Sequence, residues 1–214
     1  MMDTAIDISG YAYEDGELNA SHNYLVPSLL EILTSLSLPS DQRHLFELGC
    51  GNGAVAAVLA QEGYRVTGVD VSTQGLEQAQ RRHPELLLRP GSVYDRLADT
   101  YGQFPIVVSL EVVEHLYAPR VFAQTLYDLL KPSGTAIVST PYHGYWKNLA
   151  LALTGRMDAH FTALWDHGHI KFWSIYTLSV LLREAGFRDI TFQRVGRIPA
   201  LAKSLVAIAR KPMV

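Results

Sequence analysis

The sequence predicts an α/β fold: a single domain of 214 residues built on a seven-stranded, mostly parallel sheet with helices on both faces. Three observations carry this expectation. Short β-rich apolar runs alternate with longer stretches of helical period, as in successive strand–helix–strand units. The run PIVVSL at 105–110 is continuously apolar, as a central strand buried on both faces must be. No repeat or low-complexity segment interrupts the alternation.

Residues 22–38 have the spacing of an amphipathic helix ended near Pro39, within an N-terminal helical segment over 1–40. His44–Leu48 is the first strand, Ala54–Glu62 a helix, Arg65–Val69 the second strand and Thr73–Arg82 a second helix. Leu86–Arg89 is a short third strand closed by Pro90, and Pro105–Leu110 is the fourth. Pro119–Leu130 is a helix stopped by Pro132 and Gly134, and Thr135–Thr140 is the fifth strand. The alternation then breaks. Residues 141–173 form an insertion that holds all three tryptophans, Trp146, Trp165 and Trp173. A helix over Ser174–Ala185, closed by Gly186, restores the pattern. Residues 188–195 and 201–209 then pair as an antiparallel hairpin at the sheet edge, around the turn at Gly196 and Pro199.

Composition narrows the function. A hydrophobic content of 48% can fill a sizeable core, and no uncharged apolar stretch reaches the roughly 18 to 20 residues of a membrane span. The acidic start (Asp3, Asp7, Glu14, Asp15, Glu17) is unlike a signal peptide, so a cytoplasmic location is expected. The single Cys50 excludes an internal disulfide and any multi-cysteine metal or iron–sulfur site; it is expected to be a small packing residue. The net charge of −3 hides an asymmetry. Residues 1–130 carry 7 Lys and Arg against 17 Asp and Glu, whereas 131–214 carry 11 against 4. A basic C-terminal part marks either an anionic partner or ordinary solvated faces.

The segment FELGCGNGA at 46–54 follows a strand and opens a helix, so Gly49, Gly51 and Gly53 permit a sharp turn and close approach of a ligand to bare backbone. Asp70 ends the next strand, 21 positions after Gly49, where an acid can accept both hydroxyls of a ribose. An adenosine-containing ligand follows. Gly49, Gly51 and Ala54 also satisfy the dinucleotide fingerprint, which would make the chain an NAD-dependent oxidoreductase. Glu47 separates the two readings, because a carboxylate there repels a pyrophosphate but attracts a cationic amine or sulfonium. A non-catalytic nucleotide-binding module is a third reading.

The pattern E-x-G-x-G-x-G, with an acid at the end of the second strand, resembles the class I S-adenosylmethionine-dependent methyltransferases. Their fold is Rossmann-like, and its terminal hairpin inserts an antiparallel strand. The resemblance implies that Glu47 and Gly49 hold the methionine end of S-adenosylmethionine, with Gly51 and Gly53 in the same loop. It implies Asp70 at the ribose, Val71 beside the adenine, Ser92 and Val93 at the other adenine edge, and Leu110 bordering the cofactor. Ser92 stands where the commonest pattern has Asp. Either Asp95 or the Val93 main chain replaces that contact, or Ser92 and Asp95 simply cap the following helix.

After the fourth strand comes LEVVEHL, which puts Glu111, Glu114 and His115 at i, i+3 and i+4, on one face if helical. The carboxyl end of that strand is where open α/β sheets bind ligands. The triplet also suits a helix N-terminus through its dipole. Alternatively, two carboxylates and an imidazole supply most of a divalent cation site, magnesium being one candidate. The missing ligand would come from His143, His160, His167 or His169 in the insertion, with WDHGHIKFWS at 165–174 the best place.

EVVEHL, STP at 139–141 and a His before a KF pair resemble the ubiquinone-biosynthesis O-methyltransferase group and, more distantly, small-RNA 3′-terminal 2′-O-methyltransferases. That resemblance covers roughly residues 44–187 and implies Glu111, Glu114, His115 and His169 as metal ligands, His167 being the alternative. A metal would hold two acceptor oxygens and lower a hydroxyl pKa. Without one, His115 is the general base.

Within 141–173, Tyr142, Tyr145, Trp146, Phe161, Trp165, Phe172 and Trp173 either close over a flat acceptor or pack the insertion onto the sheet. The NLALAL run at 148–153 could touch a membrane surface peripherally. A nucleic-acid acceptor would use these aromatics for stacking and Lys147, Arg156 and Lys171 for phosphates, thin support against an acidic N-terminal part. Tyr11, Tyr13 and Tyr24 are expected to help close the cofactor cleft. The resemblance to the ubiquinone-biosynthesis group implies a small hydroxylated aromatic or quinone precursor as acceptor. Composition and motifs leave the oligomeric state open.

Overall fold

A computed structural model describes residues 13, 17–165 and 168–213. Its elements are α1 (His22–Ser35), β1 (His44–Leu48), α2 (Ala54–Gln61), β2 (Arg65–Asp70), α3 (Thr73–Arg82), β3 (Leu87–Pro90), α4 (Leu97–Tyr101), β4 (Phe104–Leu110), α5 (Pro119–Asp128), β5 (Leu130–Pro141), α6 (Tyr145–Leu153), α7 (Met157–Phe161), α8 (Ile175–Glu184), β6 (Arg188–Val195) and β7 (Ser204–Arg210). One sheet runs in the order β3-β2-β1-β4-β5-β7-β6. Strands β1 to β5 pair in parallel, and β7 is antiparallel to both β5 and β6. The expected hairpin is present, with β7 wedged against β5 and β6 left at the edge.

The two-residue period of a strand explains why the central strands are apolar throughout. Leu45, Ile106, Val108, Ile137 and Val206 turn to one face, where they meet Leu25, Leu29, Ile32 and Leu33 of α1 and Val55 and Leu59 of α2. Phe46, Val107, Val138 and Leu205 turn to the other, against Phe122 and Leu126 of α5 and Leu178 and Leu182 of α8. Edge strand β6 has no buried residue. Two helix starts are set by local chemistry. The Ser72 hydroxyl accepts from the Gly75 N–H at α3, and Ser174 and Thr177 form a reciprocal capping box at α8.

Three departures from expectation have physical causes. Strand β5 begins at Leu130, because Phe104 pairs with Leu130 before an irregularity shifts the register to Ile106 with Thr135. Helix α4 is a five-residue turn, too short to show a period. The insertion, where the sequence pattern predicts no helix or strand, contains α6 and α7. No helix among the described residues is long and apolar enough to cross a membrane.

Candidate functional site

Both halves of the site sit at the carboxyl end of the parallel strands. In the glycine turn, the Gly49 and Cys50 N–H groups donate to the Val69 carbonyl at 2.9 and 3.0 Å, tying the end of β1 to β2. The Asp70 carboxylate accepts from the Gly51 N–H and the Ser72 N–H, both at 2.8 Å. Gly51 has φ +51°, and a Cβ there would run into the Tyr13 ring. Tyr13 lies over the turn, its main chain held by Gln74 and Gln78. Cys50 is buried in the core, as expected of a packing residue.

Glu47 is 2% exposed. Its Oε2 is buried with no hydrogen-bond partner among the described residues. Burial first, then the Asp70 charge, push its carboxyl up to about 8. A buried, unpartnered carboxyl facing a ligand loop is the environment that a cationic ligand atom would complete.

Val71 is exposed, while Val93 and Leu110 are buried. The Ser92 N–H donates to the Asp95 carboxylate at 2.7 Å, and the Ser92 hydroxyl accepts from Tyr94 N–H at 3.2 Å. The two side chains therefore order their own turn, and neither caps α4, whose N-cap is Arg96.

The E-x-x-E-H segment is not an α-helix. Glu111 takes a left-handed φ of 54°, and Val113–His115 form one 3-10 turn, so the three side chains do not share a helical face. The Glu111 carboxylate accepts from Ser139 Oγ at 2.8 Å and from Ser204 Oγ at 3.4 Å. Burial raises it to about 7 against the pull of these hydroxyls and of Lys147. Glu114 is 1% exposed, beside Thr140, and burial and the Glu111 charge hold its carboxyl well above the usual range.

His169 is delivered by main-chain geometry: the Ile170 and Lys171 N–H groups both donate to the Glu114 carbonyl at 2.9 Å. One ligand atom each from Glu114, His115 and His169 then lie within 4.8 Å of one another. Burial, then His115, lowers His169 to about 4, which keeps its imidazole neutral as a metal ligand must be. Glu111 flanks this trio without joining it, and His167 lies outside the described residues, as does Tyr11. His143 and His160 pair with each other and Phe161 in a separate aromatic group.

The insertion does two things. Tyr142 and Trp173 are buried in the core, and the Trp173 indole N–H donates to the Val113 carbonyl at 3.3 Å. Trp165 packs on His169 and His115 with ring centroids 5.2 and 6.1 Å away. Tyr145 and Trp146 stay exposed, at 73% and 67%. Residue pattern alone missed Ser204 and Lys147 as neighbours of Glu111. Both come from distant segments, and the STP triplet containing Ser139 was the one available signal. The Tyr24 hydroxyl lies 3.3 Å from Ser204 Oγ, the hydroxyl that reaches Glu111.

Comparison with known proteins identifies the family and the fold. Residues 22–191 match the family model described as a methyltransferase domain. A ubiquinone biosynthesis O-methyltransferase from a Caulobacter species is 36% identical over 121 residues, 55% of this chain and 48% of that protein. The chain thus spans about half the length of that curated relative. Among solved structures, the methyltransferase domain of bacterial CtHen1 superposes with a TM-score of 0.67 at 20% identity, covering 90% of this chain and 100% of that one. Magnesium protoporphyrin IX methyltransferase from Synechocystis, solved with bound SAH, gives 0.65 at 18% identity, covering 87% of this chain and 82% of that one. These likenesses show a shared fold.

Proposed function

The chain belongs to the methyltransferase-domain family, and from that premise we propose that it transfers a methyl group from S-adenosylmethionine to a hydroxyl of a small aromatic or quinone-precursor acceptor, assisted by a divalent cation. One observation carries the acceptor chemistry: Glu114, His115 and His169 converge at the end of β4, beside the turn that Glu47 and Asp70 define.

S-adenosylmethionine supplies an electrophilic methyl on sulfur. Its cationic end suits the unpartnered Glu47 Oε2, and the Asp70 carboxylate at the end of β2 suits ribose hydroxyls. Gly49, Gly51 and Gly53, all at positive φ, let Val112, Tyr13 and Leu88 pack against the bare backbone of the turn and so fix its shape. Val71, Ser92, Val93 and Leu110 would border the base. Tyr13 covers the turn and excludes water from it.

A divalent cation held by Glu114, His115 and His169 would lower the pKa of the acceptor hydroxyl and stabilise the oxyanion. Two imidazoles beside a carboxylate favour Mn²⁺ over Mg²⁺, because imidazole nitrogen is a softer donor than oxygen. Glu111 is the nearest further carboxylate and would complete the set after leaving Ser139 and Ser204. Trp165 and the exposed Tyr145 and Trp146 offer flat apolar surface to the acceptor. His115 would take the hydroxyl proton if no metal intervenes.

The test is transfer of isotopically labelled methyl from S-adenosylmethionine to catechols, quinols and RNA, with and without EDTA. Transfer to a catechol or quinol, lost on chelation and restored by Mn²⁺, supports the proposal. Chelation without effect removes the metal, and transfer to RNA alone replaces the acceptor.

A further inference from the structure

A cavity of about 500 Å³ opens between α6, α7 and the turn that leads into β7. Its walls carry Lys147, Arg156, His160, Arg197 and Lys203, and among the described residues no acidic side chain lines it. Apart from Thr154, the rest of the lining, including Pro141, Leu151 and Leu201, is apolar, so the Lys and Arg groups border an apolar floor. The cavity adjoins the candidate active site. Pro141 follows the strand segment that carries Ser139, and Lys203 precedes Ser204, the two hydroxyls that hold Glu111. His160 Nε2 is buried without a partner among the described residues. Lys147 is half-buried, and the neighbouring Arg197 charge adds to burial in lowering its pKa. Like charges gathered around an unfilled hollow are relieved by a bound anion.

We propose that this cavity is an anion subsite, so that the acceptor carries a carboxylate or phosphate held by Arg156, Arg197, Lys147 and Lys203 while its hydroxyl reaches toward Glu111 and the Glu114–His115–His169 cluster. The inference rests on the methyltransferase reading and adds the acceptor's charge to it. It also gives the basic C-terminal part a task. The volume suits a single small molecule, and the apolar floor suits a ring or chain attached to the anion.

The test is calorimetric titration of the full chain, with S-adenosylhomocysteine present, using catechol, protocatechuate and phenyl phosphate. Protocatechuate or phenyl phosphate should bind at least about tenfold more tightly than catechol, as charge-assisted hydrogen bonds require. The tighter of the two identifies the anion. In the double variant Arg156→Gln, Arg197→Gln, both at exposed positions, that preference should vanish while S-adenosylhomocysteine binds as before. Equal affinities for the charged and neutral ligands, or a preference that survives the double variant, would overturn the subsite. So would a short RNA that displaces phenyl phosphate at lower concentration than phenyl phosphate displaces itself. Inorganic phosphate titrated alone separates the two ideas: Arg-dependent phosphate binding without S-adenosylhomocysteine binding supports the subsite and fells the methyltransferase reading.

Discussion

His115 and His169 meet edge to face, their ring centroids 4.9 Å apart, although 53 residues lie between them in the chain. The contact exists because the Glu114 carbonyl receives the two amides that follow His169. Trp165 meets His115 edge to face and His169 at a tilt, so it reports on whatever the imidazoles bind. Titrating Mn²⁺ should quench tryptophan emission saturably, and Trp165→Phe should remove most of the change. His169→Ala should weaken Mn²⁺ by at least about tenfold to a hundredfold. Unsaturable quenching would show that the trio holds no ion.

Glu47 gives a pH dependence of definite sign. Its folded pKa of about 8 lies above the ordinary 4.5, so the folded ligand-free protein keeps a proton that the unfolded chain releases. Stability of the ligand-free protein should therefore fall as pH rises from about 4.5 to about 8. A cationic ligand needs the ionised carboxylate, so S-adenosylhomocysteine should bind roughly tenfold more tightly per pH unit on approaching about 8, releasing a proton. Calorimetry in two buffers of different ionisation enthalpy measures that proton, and Glu47→Gln should abolish it.

The insertion is anchored to the domain by Trp173, which is 8% exposed and hydrogen-bonded to Val113. Trp173→Ala should destabilise the fold by about 3–5 kcal/mol, the usual cost of emptying a buried aromatic site. Trp146→Ala, at an exposed position, should cost less than about 0.5 kcal/mol. Urea unfolding of both variants checks the contrast.

These relationships were unequally legible in the sequence. Strand β4 was readable because burial on both faces makes its run almost wholly apolar. That Asp70 would meet the glycine turn was readable because β1 and β2 are adjacent parallel strands whose ends fall side by side. The conformation of Glu111 was not, since its left-handed φ is held by Ser139 and Ser204 from other strands, and no local pattern records such partners. Helices α6 and α7 were hidden for a similar reason. Their aromatic load resembles loop packing, and neither has a buried residue to set a period.

Glu111 also supplies the sharpest test of how the cluster is completed. Its carboxylate accepts from Ser139 at 2.8 Å and stands apart from the trio, so serving as a fourth ligand would require giving up that hydrogen bond. A hydrogen bond to a charged group is worth about 1.5–3 kcal/mol. Removing the competing donor in Ser139→Ala should therefore tighten Mn²⁺ binding by about tenfold, and Glu111→Gln should weaken it. If Glu111 only positions its neighbours, Ser139→Ala should leave Mn²⁺ affinity where it was while lowering turnover. A Mn²⁺ titration of the two variants beside the parent protein separates a ligand held in reserve from a carboxylate that never reaches the metal.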